Sequence, residues 1–197
     1  MTKNDGDVRI RLQRAALELF REGGYDHTTA AEIAARAGVT ERTFFRQFAD
    51  KREVLFAGEA ILRAALTASI ADAPNGLGPL DTLFRAFRSV EQILEDNRPF
   101  SKPRHEVISS TPALQERELA KIAALADALA AALRERGFAE LEATLAARAG
   151  MAAFTHATIQ WLEDAEISLG KRIDRTHRGL KALLKESTNR PKASGSK

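Results

Sequence analysis

Three features of the sequence predict an all-α fold. Alanine occurs 36 times and, with leucine, far outnumbers the five valines. Alanine and leucine favour helices, whereas β-branched valine favours strands. The six prolines fall at 74, 79, 99, 103, 112 and 191, so residues 1–73 and 113–190 lack the strongest helix breaker. Apolar residues recur three and four apart, and no stretch alternates with the period of a strand. About nine helices are expected.

A first helix reads from about Asp7 to Glu22, with Val8, Leu12, Ala15, Ala16, Leu19 and Phe20 on one face. Gly23-Gly24 stops it. Thr29 with Glu32 forms a capping box that opens a second helix carrying Ile33, Ala34 and Ala37 and ending at Gly38. Thr40 caps a short third helix, Glu41 to Phe48. Asp50 with Glu53 makes another capping box, opening a fourth helix from Lys51 to about Ala71. Residues 72–79 are a loop rich in proline and glycine. A fifth helix spans about Leu80 to Glu95. Residues 97–112, broken by prolines, hold at most a short helix near Arg104–Ile108. Thr111-Pro112 starts a long helix to about Arg136, closed by Gly137. Two more helices follow, about Ala139–Asp164 and Ile167–Lys185.

The chain has 197 residues, enough for one domain or a small one beside a larger one. It has no cysteine, so disulfides, thiolate zinc sites and cysteine nucleophiles are excluded. The N-terminus has no uninterrupted apolar stretch of signal-peptide type, and no run approaches 18 apolar residues. The expectation is a soluble cytoplasmic protein with no membrane partner. The net charge is +3, but it is unevenly spread: residues 1–52 carry +2, residues 53–170 carry −6 and residues 171–197 carry +7. Such a division suits different partners for different segments. The last stretch, STNRPKASGSK, has the composition of a disordered basic tail.

The chemistry concentrates in AAEIAARAGVTERTFFRQF. Two short helices joined by a glycine turn suggest a helix-turn-helix. Ala34 is small enough for the next helix to cross over it. Gly38 can take the left-handed conformation that ends the second helix. Val39 plugs the angle, and Phe44 and Phe48 anchor the third helix. Glu41, Arg42, Thr43, Phe45, Arg46 and Gln47 are left on or near its outer side. Arginine can pair with guanine, glutamine with adenine, and threonine or an aromatic ring with the thymine methyl. Lys51, at the next helix start, is placed for a phosphate.

The stretch from Ala15 to Phe56 resembles the N-terminal DNA-binding domain of TetR-family transcriptional regulators. The resemblance is carried by Leu19-Phe20, Gly24-Tyr25, Thr28-Thr29, Ile33-Ala34, Ala37-Gly38-Val39, Phe44-Phe45, Phe48 and Lys51. It implies phosphate contacts by Thr29 and Thr43. Together with the outward residues of the third helix, the expected DNA-binding set is Thr29, Thr40, Glu41, Arg42, Thr43, Phe45, Arg46, Gln47 and Lys51, of which Arg42 and Arg46 are this sequence's own additions. Many members have tyrosine where this chain has Phe45 and histidine where it has Gln47. The resemblance also implies a homodimer formed through the last two helices, which would present two recognition helices about 34 Å apart. Independently, the eighth helix is rich in small residues, Ala149 and Ala153 among them. In the ninth, Ile173, His177, Leu180 and Leu184 follow the spacing of an a/d seam. The other reading of that seam is burial within one subunit.

The family implies a small-molecule effector bound in the C-terminal domain. Phe84, Phe87, Phe100, His105, Phe154, His156 and Trp161 would suit an apolar or aromatic one. They would equally serve as core. No cofactor is expected, and no metal site, since His27, His105, His156 and His177 are isolated and no HExxH occurs. No GxSxG, phosphate loop or GxGxxG is present either, so a non-enzyme is expected. The division predicted is 1–52 for DNA, 53–188 for effector binding and dimerisation, and 189–197 as tail. The function expected is a repressor released from operator DNA by its effector. The alternative is an all-α ligand-binding or interaction protein whose helix-turn-helix does not read DNA specifically.

Overall fold

The structure is a computed structural model and describes residues 3–186. The expected tail, 189–197, lies outside them. Ten α-helices and one turn of 3-10 helix make up the described fold: α1 (Lys3–Gly23), α2 (Ala30–Arg36), α3 (Glu41–Gln47), the 3-10 turn (Glu53–Phe56), α4 (Glu59–Ala71), α5 (Pro79–Ser89), α6 (Glu91–Asp96), α7 (Arg98–Ser109), α8 (Pro112–Glu135), α9 (Glu140–Glu163) and α10 (Leu169–Glu186). The chain divides into two compact units, Met1–Ala65 with Ile93–Leu125 and Leu66–Gln92 with Ala126–Lys197.

In the first unit α1 is the central rod. Leu12 and Ala16 are fully buried, and Val8, Ala15, Leu17 and Phe20 nearly so. They meet Ile33 and Ala34 of α2, Phe44 of α3, Val54 and Leu55 of the 3-10 turn, Val107 and Ile108 of α7 and Leu114 of α8 in one core. Each of the larger of these side chains, Val, Leu, Ile or Phe, contributes about 2 kcal/mol by leaving water. Gly24, with φ +84, closes α1.

In the second unit α9 is the axis, packed by α5 and α10. Its small residues permit close approach. A Cβ on Gly150 would stand 2.3 Å from Cδ2 of Leu83, so α5 crosses α9 where only glycine fits. Gly170 serves α10 likewise: the Arg88 guanidinium occupies the place of its Cβ.

Three elements differ from the sequence reading. The fourth helix does not start at Lys51. Asp50 does cap, accepting from the N–H groups of Arg52 (2.7 Å) and Glu53 (3.1 Å). Glu53, however, turns to Arg117 and Lys121 on α8 instead of returning to Asp50. The chain therefore passes through the 3-10 turn before α4 begins. The expected fifth helix breaks at Val90, whose side chain is buried; Glu91 is drawn to Arg88 (2.7 Å) and to the Gly170 N–H (2.8 Å). The proline-rich segment is a full 12-residue helix, α7. Pro99 sits in its first turn, where the missing N–H is harmless. Pro103 forfeits one backbone bond, which costs about 3 kcal/mol in a helix interior. Burial of Val107 and Ile108 offsets this, together with Arg104, which donates to the Leu55 carbonyl (2.6 Å) and to Glu118 (3.2 Å).

The stretch Glu53–Ala71 is by length and composition apolar enough to cross a membrane, with mean hydropathy 1.6. In the fold it is not one helix, and its Val54, Leu55, Phe56, Leu66 and Ile70 are buried in protein.

Candidate nucleic-acid interface

The α2–α3 pair is built by its caps and its turn. Thr29 caps α2: its hydroxyl accepts from the Glu32 N–H (3.2 Å), while its own N–H donates to the Glu32 carboxylate (2.8 Å). That backbone bond, with one from the Thr29 hydroxyl, holds the Glu32 carboxyl below its ordinary pKa. Gly38 has φ +66, the left-handed turn that ends α2. The Val39 N–H then returns to the Ala34 carbonyl at 2.9 Å. Thr40 caps α3, and its hydroxyl lies 3.0 Å from that of Thr43. Phe44 is fully buried and Phe48 nearly so, with ring centroids 5.7 Å apart.

This anchoring decides which residues of α3 face water. Thr40, Glu41, Arg42, Phe45 and Arg46 are exposed, and Thr43 and Gln47 are half-buried. Phe45 is 52% exposed although aromatic, its ring edge-on to Phe44 at 5.4 Å. An unburied aromatic between two arginines suits stacking or methyl contact with a partner rather than the core. Gln47 also lines a groove of about 360 Å³ between α1, the end of α3, α4 and α8, together with Arg9, Glu53, Glu59, Arg63 and Lys121.

Lys51 stands apart from that exposed row. Its ammonium donates to the carbonyls of Tyr25 (2.8 Å), Thr28 (3.0 Å) and Asp26 (3.4 Å) and lies 4.2 Å from the centroid of the Tyr25 ring. It thereby fixes the loop that leads into α2.

Two residues of the interface's support were not anticipated. Arg9 donates to the Gln47 carbonyl (3.3 Å) and lies over Phe48 (4.7 Å). Arg11 donates to the Ala37 carbonyl (2.8 Å). From α1, each occupies a carbonyl at the C-terminal end of α3 or α2, where a cation also meets the negative end of the helix dipole. Their partners are 38 and 26 residues away, so no local pattern announces them. Arg36 is likewise held back, by Glu22 (2.9 Å) and Glu18 (3.4 Å).

The expected effector residues are divided between the two units. In the second unit, Phe87 stacks on Phe154 at 4.3 Å, meets Phe84 edge-on at 5.5 Å, and Phe84 stacks on His177 at 4.2 Å. Trp161 is also buried there. Phe100 packs against the core of the first unit. His105 belongs to that unit too, 3.4 Å from the Ser109 hydroxyl. His156 lies on the exposed side of α9.

Of the expected seam, Ile173 is fully buried within its own unit. His177, stacked on Phe84, has Nε2 2.9 Å from Asp81, off the direction of a hydrogen bond. Burial, opposed by the Asp81 charge, keeps the His177 imidazole below its ordinary pKa. Leu180 is half-buried, Leu184 is exposed, and Ala149 and Ala153 are half-buried. Among the described residues no group of acids and histidines could hold a metal ion.

Residues 12–57 match the family model described as "Bacterial regulatory proteins, tetR family", and residues 77–185 match that described as "MftR C-terminal domain". The HTH-type transcriptional regulator TcmR of Streptomyces glaucescens is 43% identical over 83 residues, covering 42% of this chain and 37% of that protein. An HTH-type transcriptional regulator of Mycobacterium tuberculosis is 37% identical over 81 residues, covering 41% of this chain and 39% of that protein. The chain thus spans less than two fifths of these curated relatives. Among solved structures, Thermus thermophilus FadR, described as a TetR-family transcriptional repressor in complex with lauroyl-CoA, is 26% identical. It covers 96% of this chain and 100% of that one, with a TM-score of 0.57. SmeT bound to triclosan is similar in fold, with 22% identity, coverage of 87% and 90%, and a TM-score of 0.61.

Proposed function

The chain belongs to the TetR family of bacterial regulatory proteins, and on that premise we propose that it is an operator-binding repressor released by a small-molecule effector. One observation carries the reading: α3 presents Arg42, Phe45 and Arg46 to solvent while Phe44 and Phe48 hold it from behind. Arg46 and Gln47 read base edges, and Thr29, Thr40, Thr43 and Arg42 meet the phosphates. Residues 1–52 act as the reading head, and 53–188 bind effector and partner. Lys51 serves this head as a brace, since its ammonium is already bonded to carbonyls.

A single head offers few phosphate contacts, so the repressor acts as a homodimer. The surface that fits a second copy is the exposed side of α9, where Leu141 (69% exposed) and Leu145 (59%) align with Ala149 and Ala152. Leu183 and Leu184 of α10 are exposed apolar residues as well. The effector enters among Phe84, Phe87, Phe154 and Trp161, which favours an apolar or aromatic molecule. Two proteins similar in fold were solved with molecules that have apolar parts, FadR with lauroyl-CoA and SmeT with triclosan, which supports this reading.

The test is binding to the duplex upstream of the protein's own gene against a random duplex of equal length, at several salt concentrations. Preference for the upstream duplex, lost in Arg46→Ala, supports the reading. Equal affinity for both duplexes, unchanged by Arg46→Ala, refutes it and leaves the interaction-protein alternative.

A further inference from the structure

We propose that the outer face of α10 is a second, sequence-independent contact for the phosphate backbone of duplex DNA. Lys171, Arg175, Arg178 and Lys185 are all exposed. Their spacing of 4, 3 and 7 residues places them on one side of the helix, along about 21 Å of its length. Exposed Ala182 fills the gap in the row. None of these four side chains has a hydrogen bond or ion pair among the described residues.

Much of the rest of α10 is engaged within the unit, with Leu183 and Leu184 left exposed near its end. Ile173 is buried, His177 lies on Phe84, Lys181 holds Asp81 (2.7 Å), and Arg172 holds Asp164 (2.7 Å). Asp174, an acid next to the row, is turned to Arg88 (3.5 Å). A linear row of uncompensated cations is a steep positive field that selects a regularly charged polyanion.

Two arguments favour DNA. A lipid surface is gripped by a helix whose apolar side faces the bilayer along its length, but α10 packs on α5 and α9 with Leu169 and Ile173 buried, and leaves only the adjacent Leu183 and Leu184 as exposed large apolar residues among its described ones. Several cations of the reading head, moreover, are engaged within the protein. Arg9, Arg11 and Lys51 bind carbonyls, and Arg36 and Arg52 bind carboxylates. A row of exposed cations on α10 adds phosphate-binding charge.

The inference rests on the DNA-binding reading, and one experiment separates their failures. Full-length protein and the quadruple variant K171Q/R175Q/R178Q/K185Q are titrated with upstream and random duplexes between 50 and 200 mM salt. Glutamine keeps helix propensity, and the sites are exposed, so the fold is retained, as circular dichroism checks. The slope of log affinity against log salt should fall by about 3 to 4 in the variant on both duplexes, and by about 0.9 in each single variant. The ratio of upstream to random affinity should hold or rise. An unchanged slope overturns the proposal. So does loss confined to vesicles of phosphatidylcholine with phosphatidylglycerol while DNA binding stays the same, which would mark a lipid contact. If the head does not read DNA, the upstream preference and its loss in Arg46→Ala disappear, whereas the slope change on the random duplex remains.

Discussion

Replacing Lys51 by methionine keeps the apolar stem and removes the ammonium. Two hydrogen bonds of good length, to Tyr25 (2.8 Å) and Thr28 (3.0 Å), are lost, with a longer one to Asp26. A hydrogen bond to a charged group contributes about 1.5–3 kcal/mol. The carbonyls lie near the surface and regain water, so the sum is discounted to about 2 kcal/mol for the variant. That is roughly a thirtyfold change in the unfolding equilibrium and a fall in Tm of about 4–8 °C. Urea and thermal unfolding followed by far-UV circular dichroism would read it. The fluorescence of Trp161, in the second unit, supplies an internal comparison. The refuting result is clear. If Lys51→Met unfolds within about 0.5 kcal/mol of the parent yet loses tenfold or more in DNA affinity, Lys51 is a phosphate contact and not a brace.

Gly38→Ala forces an L side chain to φ +66 and should cost about 1–2 kcal/mol in denaturant unfolding. Arg11 stands 3.6 Å from the new Cβ, an ordinary contact, so the loss comes from the backbone. Gly150→Ala gains about 1 kcal/mol of helix propensity but drives a methyl into buried Leu83, at a cost of about 1–3 kcal/mol. A net loss is expected, and a double-mutant cycle with Leu83→Ala should show favourable coupling. His177 is held below its ordinary pKa by burial, so the unfolded chain takes up its proton first as pH falls. Its contribution is therefore present above about pH 6.5 and is lost as pH falls through the folded pKa. Asp81, lowered chiefly by its hydrogen bond from Lys181, stays charged across pH 7.5–5.5. His177→Phe, which keeps a ring on Phe84, should flatten the pH dependence of unfolding in that window. Leu145→Asp should turn a dimer into a monomer in sedimentation velocity without unfolding the protomer, because Leu145 is 59% exposed.

Much of the reading head was legible because its signals are local. A capping box spans three residues, and a left-handed glycine turn needs only Gly38 and its neighbours. The burial of Phe44 and Phe48 with exposure of Phe45 follows from helical spacing alone. The all-α class was legible for the same reason. The failures share a cause as well. Glu53 had a local partner in Asp50 and chose Arg117 and Lys121, 64 and 68 residues on, because α8 is packed beside it. Pro103 predicted a break, and Arg104 with Val107 and Ile108 overrode it through contacts with other helices.

The same contrast governs the site. Residue types and spacing determined by themselves which side of α3 would face away from the core. Only the tertiary structure decided which cations would remain available, because Arg9, Arg11 and Lys51 find carbonyls that lie 23 to 38 residues away in sequence. It also drew Ile173 and His177 into their own unit and left the basic face of α10 in water. Backbone caps and helical periodicity act over one turn, so a sequence displays them. A buried pair or a carbonyl brace depends on which distant helix arrives alongside, and that is settled by packing.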